Sequence, residues 1–209
     1  MERLGGAPAK VLEGLELDVP IVGLDIETYS PSGFPARRQD PVVAATLAVS
    51  LSPGLSRGLV LVSMVFPPSM EGELLDMLRI MLRLFRGGTM VTYNGERFDL
   101  PYVAHRGLLH GLDLGRSLEG YRQLDVYKVV RSAMPTLPSY RQRDVEGFLG
   151  VKRLVEGVSG GNYHQFFDSF MRAEDLRPVV YNIEDSVGCL RILNRLLAVF
   201  KWSCREVGC

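Results

Sequence analysis

The chain has 209 residues, 46% of them hydrophobic and 23% charged, enough for one domain with an ordinary core and too few for two of typical size. Lys plus Arg and Asp plus Glu both total 24, a formal net charge of zero, so no global field marks a nucleic-acid binder and any basic patch has to be local. Cys189, Cys204 and Cys209 form neither a disulfide framework nor a CxxC metal pattern. The N-terminus lacks an apolar signal core and no apolar run approaches the roughly 20 residues of a membrane span, so a cytoplasmic chain is expected.

Residues 1–17 read as a lead-in and 18–209 as the domain. "VPIVGLDIE", "VVAATLAVSL" and "GLVLVSMVF" read as three strands, the last two joined by the turn-forming "SPGLSRG". "MEGELLDMLRIMLRLFRGG" carries apolar residues at helical spacing and ends on two glycines. "TMVTYN" follows as a short buried strand, and "LPYVAHRGLL" as a helix with Pro101 in its first turn. "LDVYKVVRSAM" and "YRQRDVEGFLG" read as helical, "EGVSGGN" as a flexible loop, and "VVYNIEDSVGCLRILNRLLAVFKW" as a long C-terminal helix. This order predicts an α/β domain whose mixed central sheet joins an antiparallel three-strand meander to parallel strands, flanked by helices.

Asp25 and Glu27 lie two apart in the first strand, so both point to one face. That face is either solvated or holds a hard divalent cation, which prefers oxygen ligands. Asp99 stands at the mouth of a helix, where an N-cap is the alternative to a site residue. Asn94 and Phe98 read equally as a turn residue and a core aromatic. Tyr181 and Asp185 are four apart and share a helix face, while Glu184 is turned about 100° away.

Together, Asp-x-Glu in the first strand, Asn-x-x-x-Phe-Asp after a later strand and Tyr-x-x-x-Asp in the last helix resemble the DEDD superfamily of 3′–5′ exonucleases, which have a ribonuclease-H-like fold. The chain looks most like the proofreading exonuclease domains of family B DNA polymerases and their free-standing relatives. "GLDIET", "YNGERFD" and "YNIED" carry the match, and "QLDVYKVV" and "LPSYRQRDVEGFLG" are similar to the bridging segments, so the resemblance covers residues 18–200. The superfamily divides by whether His or Tyr handles the attacking water. The His position, five before the last Asp, is Val180 here, and Tyr181 fits the tyrosine subtype. His105, His110 and His164 then need no catalytic role.

The resemblance implies a metal-dependent exonuclease that releases nucleoside monophosphates from the 3′ end of single-stranded or frayed nucleic acid, DNA favoured over RNA. Asp25, Glu27, Asp99 and Asp185 would hold two Mg2+ or Mn2+ ions, with Asp25 bridging them, and Tyr181 would orient the water or accept its proton. Asn94 and Phe98 would hold the terminal nucleotide, and the backbone at Thr28 its sugar. Arg122, Lys128, Arg131, Arg141, Arg143, Lys152 and Arg153 read equally as a phosphate track and as a solvated helical face. A chain of this length has no room for a polymerase palm or fingers, so a free-standing nuclease associating with replication or repair proteins is expected. The rivals are a catalytically weak nucleic-acid-binding module on the same fold, which would have lost ligands, and an endonuclease on that fold, which would lack the Tyr-x-x-x-Asp pairing.

Overall fold

Val22, Leu24 and Ile26 form an apolar row on one side of β1 (Ile21–Thr28), because successive strand side chains alternate between faces. β2 (Val42–Ser50) runs antiparallel to β1, and β3 (Leu59–Val65) antiparallel to β2, which is the expected meander. β4 (Thr89–Thr92) pairs parallel to β1 on its other side, and β5 (Arg122–Asp125) parallel to β4. The sheet order is β3-β2-β1-β4-β5, with β1 at the centre. The computed structural model describes residues 15, 17–35, 38–52 and 58–207; most of the lead-in and the centre of the β2–β3 turn lie outside them.

A short 3-10 turn (Pro68–Met70) leads into α1 (Glu71–Leu84), which crosses from β3 to β4. Its Leu74, Leu75, Leu78 and Leu82 pack on the apolar row of β1. α2 (Asp99–Leu109) and α3 (Leu114–Leu118) complete this layer through Tyr102, Val103 and Leu114. The other face of the sheet is covered by α4 (Val126–Ala133), α5 (Gln142–Phe148), α6 (Tyr163–Ala173) and the long α7 (Arg177–Val207). No helix among the described residues is long and apolar enough to cross a membrane.

Two features differ from the sequence reading. Leu124 and Asp125 end a strand rather than start a helix: β5 has four residues, two of them exposed and polar, too few to display an alternation. α3 and α6 were not anticipated. α3 has only five residues, and α6 follows directly on the glycines of the expected loop and buries one stripe, Tyr163 and Phe167.

α7 lies unusually close to β1. A Cβ added at Gly23 would stand 2.4 Å from the Ser186 carbonyl oxygen, so only glycine permits this approach. Gly23→Ala is expected to destabilise the protein by about 1–3 kcal/mol through overpacking, visible as a lower thermal midpoint. An unchanged midpoint would mean that α7 is free to shift outward.

Candidate functional site

Asp25 and Glu27 project from β1 toward α7, and Asp185 projects from α7 toward them. One ligand oxygen from each lies within 4.8 Å of the others. Between Glu27 and Thr28 the β1–β2 register slips, with Glu27 opposite Ala44 and Thr28 opposite Val42. Such bulges re-aim side chains where a strand ends its pairing. Asp99 is the first residue of α2; Phe98 holds the cap position and makes no side-chain cap bond. Asp99 Oδ1 instead accepts from the Ile26 N–H at 3.3 Å, which brings the carboxylate to the edge of the cluster and outside its three-oxygen core.

The electrostatics are those of uncompensated negative charge. Burial raises Asp25 well above the usual carboxylate range, and Asp185, Asp99 and Glu27 add to it, against one lowering hydrogen bond from Asn182. Burial likewise raises Glu27, with Asp185 and Asp99 adding to it and Arg153 opposing. Asp99 is pushed up to about 7, chiefly by burial. Burial also raises Asp185, although Arg153 and Tyr181 both pull it down. Tyr181 sits against these acids, and burial and the Asp185, Glu27 and Asp25 charges raise its pKa.

Several residues to which sequence reasoning gave no role at the site hold this arrangement. The Asn182 carboxamide is fully buried, donates to Asp25 Oδ2 at 2.7 Å and accepts from the Thr46 hydroxyl at 2.5 Å. Its signal was present, since Asn182 stands three before Asp185 on the same helical face. Arg153 bonds both Asp185 and the buried Glu146, and its guanidinium lies 5.7 Å from the centre of the Tyr181 ring. Burial opposes its charge, but the two acids hold its pKa above the ordinary value. Glu184, turned away from the cluster as expected, accepts from the Leu154 and Val155 backbone N–H groups and so fixes the segment that carries Arg153. Asp125 Oδ1 accepts from the Asn94 N–H at 2.8 Å and the Tyr127 N–H at 3.0 Å. It thereby pins Asn94 in the left-handed region at φ 61°, which Asn tolerates better than most residues.

The cluster opens into a cleft of about 720 Å3, lined by Phe34, Tyr93, Asn94, Tyr140 and Tyr181 among others, with Arg141 and Arg143. Phe98 stacks between Phe34, at 5.3 Å between ring centres, and Tyr102, at 5.0 Å. Thr28 is buried, its hydroxyl 2.8 Å from that of Ser30. Three residues of the basic run, which read equally as a phosphate track and as a solvated face, have partners of their own. Lys128 pairs with Glu96, Arg122 approaches Asp18 at 3.9 Å, and Arg143 donates to the Val155 and Val158 carbonyls. Of the histidines, His110 bonds the buried Glu71 at 2.8 Å and His164 packs edge-on against Tyr29.

The donor set fits a hard divalent cation. It is all carboxylate oxygen, and its span is close to the about 4 Å between opposite ligands of an ion bound at 2.0–2.1 Å. The buried Tyr163 hydroxyl beside it has no hydrogen-bond partner among the described residues, and Glu27 and Asp25 raise its pKa after burial does.

A family model described as RNase_H_2, of the RNase_H superfamily, matches residues 62–197. The matched span holds Asn94, Phe98, Asp99, Tyr181 and Asp185 but stops short of Asp25 and Glu27. The chain is 28% identical over 181 residues to DNA polymerase 1 of Aeropyrum pernix, covering 78% of this chain and 18% of the polymerase. The fold is similar to the structure of the family B DNA polymerase from the hyperthermophilic archaeon Pyrobaculum calidifontis, with a TM-score of 0.57 and 20% identity over 80% of this chain and 23% of that one. The chain thus spans less than a quarter of either polymerase.

A carboxyl group whose folded pKa is raised favours folding while protonated, and that contribution is lost as pH rises through the folded value. The metal-free protein is therefore expected to lose stability as pH rises from the ordinary carboxylate value of 3.8 to about 7, the value for Asp99, and to lose no more from this group above it. Asp99→Asn should flatten that part of the profile in thermal melts. Mg2+ or Mn2+ at about a hundred times its Kd should add about 2.7 kcal/mol, or about 5–10 °C in Tm. A midpoint that ignores both ions would refute the metal assignment.

Proposed function

The chain belongs to the RNase_H superfamily, and on that footing we propose that it is a metal-dependent 3′–5′ exonuclease that removes nucleoside monophosphates from single-stranded or frayed DNA ends. The observation that carries this reading is the convergence of Asp25, Glu27 and Asp185 within 4.8 Å. Tyr181 and Asp99 stand beside them, at the head of a cleft walled by aromatic rings and arginines. Stacking on aromatic rings is sequence-tolerant, as a nuclease that works inward from any end requires. The similarity to proteins named as DNA polymerases supports DNA over RNA as the substrate.

In this reading Asp25, Glu27, Asp185 and Asp99 hold two divalent ions, Mg2+ or Mn2+. When bound, these ions supply Lewis-acid activation of a water and of the phosphodiester. Hydrolysis would join a water oxygen to phosphorus and break the P–O3′ bond of the penultimate nucleotide, whose oxygen would take a proton from solvent. The Tyr181 hydroxyl orients the water, a role that requires no change of its own protonation. Arg153, anchored on Glu146, holds the Asp185 carboxylate in place. Phe98 stacks on the terminal base, Asn94 bonds the nucleotide, and the backbone at Thr28 contacts its sugar.

The Arg153–Asp185 ion pair also supports a second reading. A fixed cation on one ligand weakens the case for two ions, as in a nucleic-acid-binding module that turns over poorly. One assay separates the two. A 5′-labelled single-stranded DNA, with an RNA of the same sequence, is incubated with the protein and Mg2+ or Mn2+. A descending ladder is expected, absent with EDTA and in Asp25→Asn, and slowed about a hundredfold in Tyr181→Phe. Internal cuts alone would indicate an endonuclease, and binding without cleavage would indicate the module.

A further inference from the structure

A second concavity, of about 540 Å3, has no lining residue in common with the cleft and is not used by the proposed chemistry. Gly150, Val151 and Lys152 form one wall, and Arg191, Asn194 and Arg195 of α7 the other. Lys152, Arg191, Asn194 and Arg195 are all exposed. No Asp or Glu lines the concavity, and none of its three cations forms an ion pair among the described residues. Arg191 and Arg195 are four apart on the same side of the helix, a spacing at which like charges disfavour each other. In a chain of zero net charge, three cations around one hollow form a local positive field, which an anion relieves. Arginine forks match phosphate oxygens and lysine adds a point charge; the Asn194 amide supplies two more donors.

Its position suggests which anion it takes. Lys152 adjoins Arg153, whose guanidinium contacts Asp185. Arg191 lies six residues beyond Asp185 on α7, about 9 Å along the helix axis. The hollow shares no lining residue with the cleft and is tied to it through two chain neighbours, Lys152 beside Arg153 and the turns of α7 that follow Asp185. A second arginine-rich concavity, with Arg79, Arg83, Arg86 and Arg116, is different. It belongs to the α1–α3 layer on the opposite face of the sheet, includes Asp113 in its lining, and its Arg79 pairs with Asp76 at 2.6 Å.

We infer that Lys152, Arg191, Asn194 and Arg195 form an anion site that holds a backbone phosphate of the nucleic-acid strand, a few nucleotides from the end that enters the cleft. The identity of the strand rests on the proposed function; the anion site rests on its own lining. Binding is measured by fluorescence anisotropy, in EDTA to prevent turnover, with a four-nucleotide and a sixteen-nucleotide oligothymidylate. The exposed double substitution Arg191→Gln with Arg195→Gln should leave the melting temperature unchanged. It should weaken the longer strand about tenfold, reduce its log–log salt slope by about 1, and leave the tetranucleotide unaffected.

An unchanged affinity for the longer strand would overturn the site, as would an equal loss for both lengths. An equal loss in Arg83→Gln with Arg116→Gln would do the same, by showing that charge acts diffusely. If the double variant loses long-strand binding while no 3′ ladder forms on any substrate, the anion site stands and the exonuclease reading alone falls.

Discussion

At Gly23 the Ser186 carbonyl oxygen occupies the space a Cβ would need, and the site depends on that contact. With α7 pressed onto β1, Asn182 reaches Asp25, and Asp185, one helical turn further on, reaches the same carboxylate pair. A helix held a side chain's width farther out would leave Asp25 and Glu27 as an ordinary polar patch on a strand. The contact also leaves little room for water, which is why burial leads the causes that raise all four acids.

Buried carboxylates are costly unless hydrogen-bonded or paired, and here the compensation is incomplete in a specific way. Asp25 has the Asn182 amide, Asp99 has the Ile26 N–H, and Asp185 has Arg153. Glu27 has only the more distant field of Arg153. Breaking a buried ion pair by removing one partner costs about 3–5 kcal/mol, so Arg153, shared between Glu146 and Asp185, is fixed from both sides. Glu184 fixes it further by holding the backbone at Leu154 and Val155. The remaining negative charge is concentrated on Asp25 and Glu27, behind Asp185, which lines the cleft, and there a cation would be most strongly attracted.

The sequence made the meander, the crossover helix and the long last helix legible because each is long enough to show its period. The four-residue β5 and five-residue α3 are not; tertiary contacts select them, and local pattern has too few positions to register. At the site, Asp25, Glu27, Asp99, Tyr181 and Asp185 were legible only when the three motifs were read together, since each spacing within a single element fits an ordinary structural role as well. The roles of Arg153 and Glu146 were not legible, because their significance lies in what they face across the fold; Asn182 had only its place three before Asp185 to mark it. Lys152 and Arg153 are neighbours in a basic run, yet the structure sends one to an exposed hollow and the other into a buried ion pair. No one-dimensional reading of charge separates them.

The outer half of the site has its own anchor, away from the acids. Burial alone would raise Glu71, but hydrogen bonds from Arg106, the Val42 N–H and His110 outweigh it and hold the carboxyl below its ordinary value. Arg106 also donates to the Gln39 carbonyl, and the Tyr102 hydroxyl to that of Asp40. The segment leading into β2 is thus tied to α2, the helix that begins at Asp99 and whose cap is Phe98. Phe34, 74% exposed, rests on Phe98, which rests on Tyr102. A ring exposed to that degree keeps a fixed place only if what lies beneath it is fixed. The Glu71 cluster provides that support, so the aromatic rim and the carboxylate floor are held by separate polar networks that meet at Asp99.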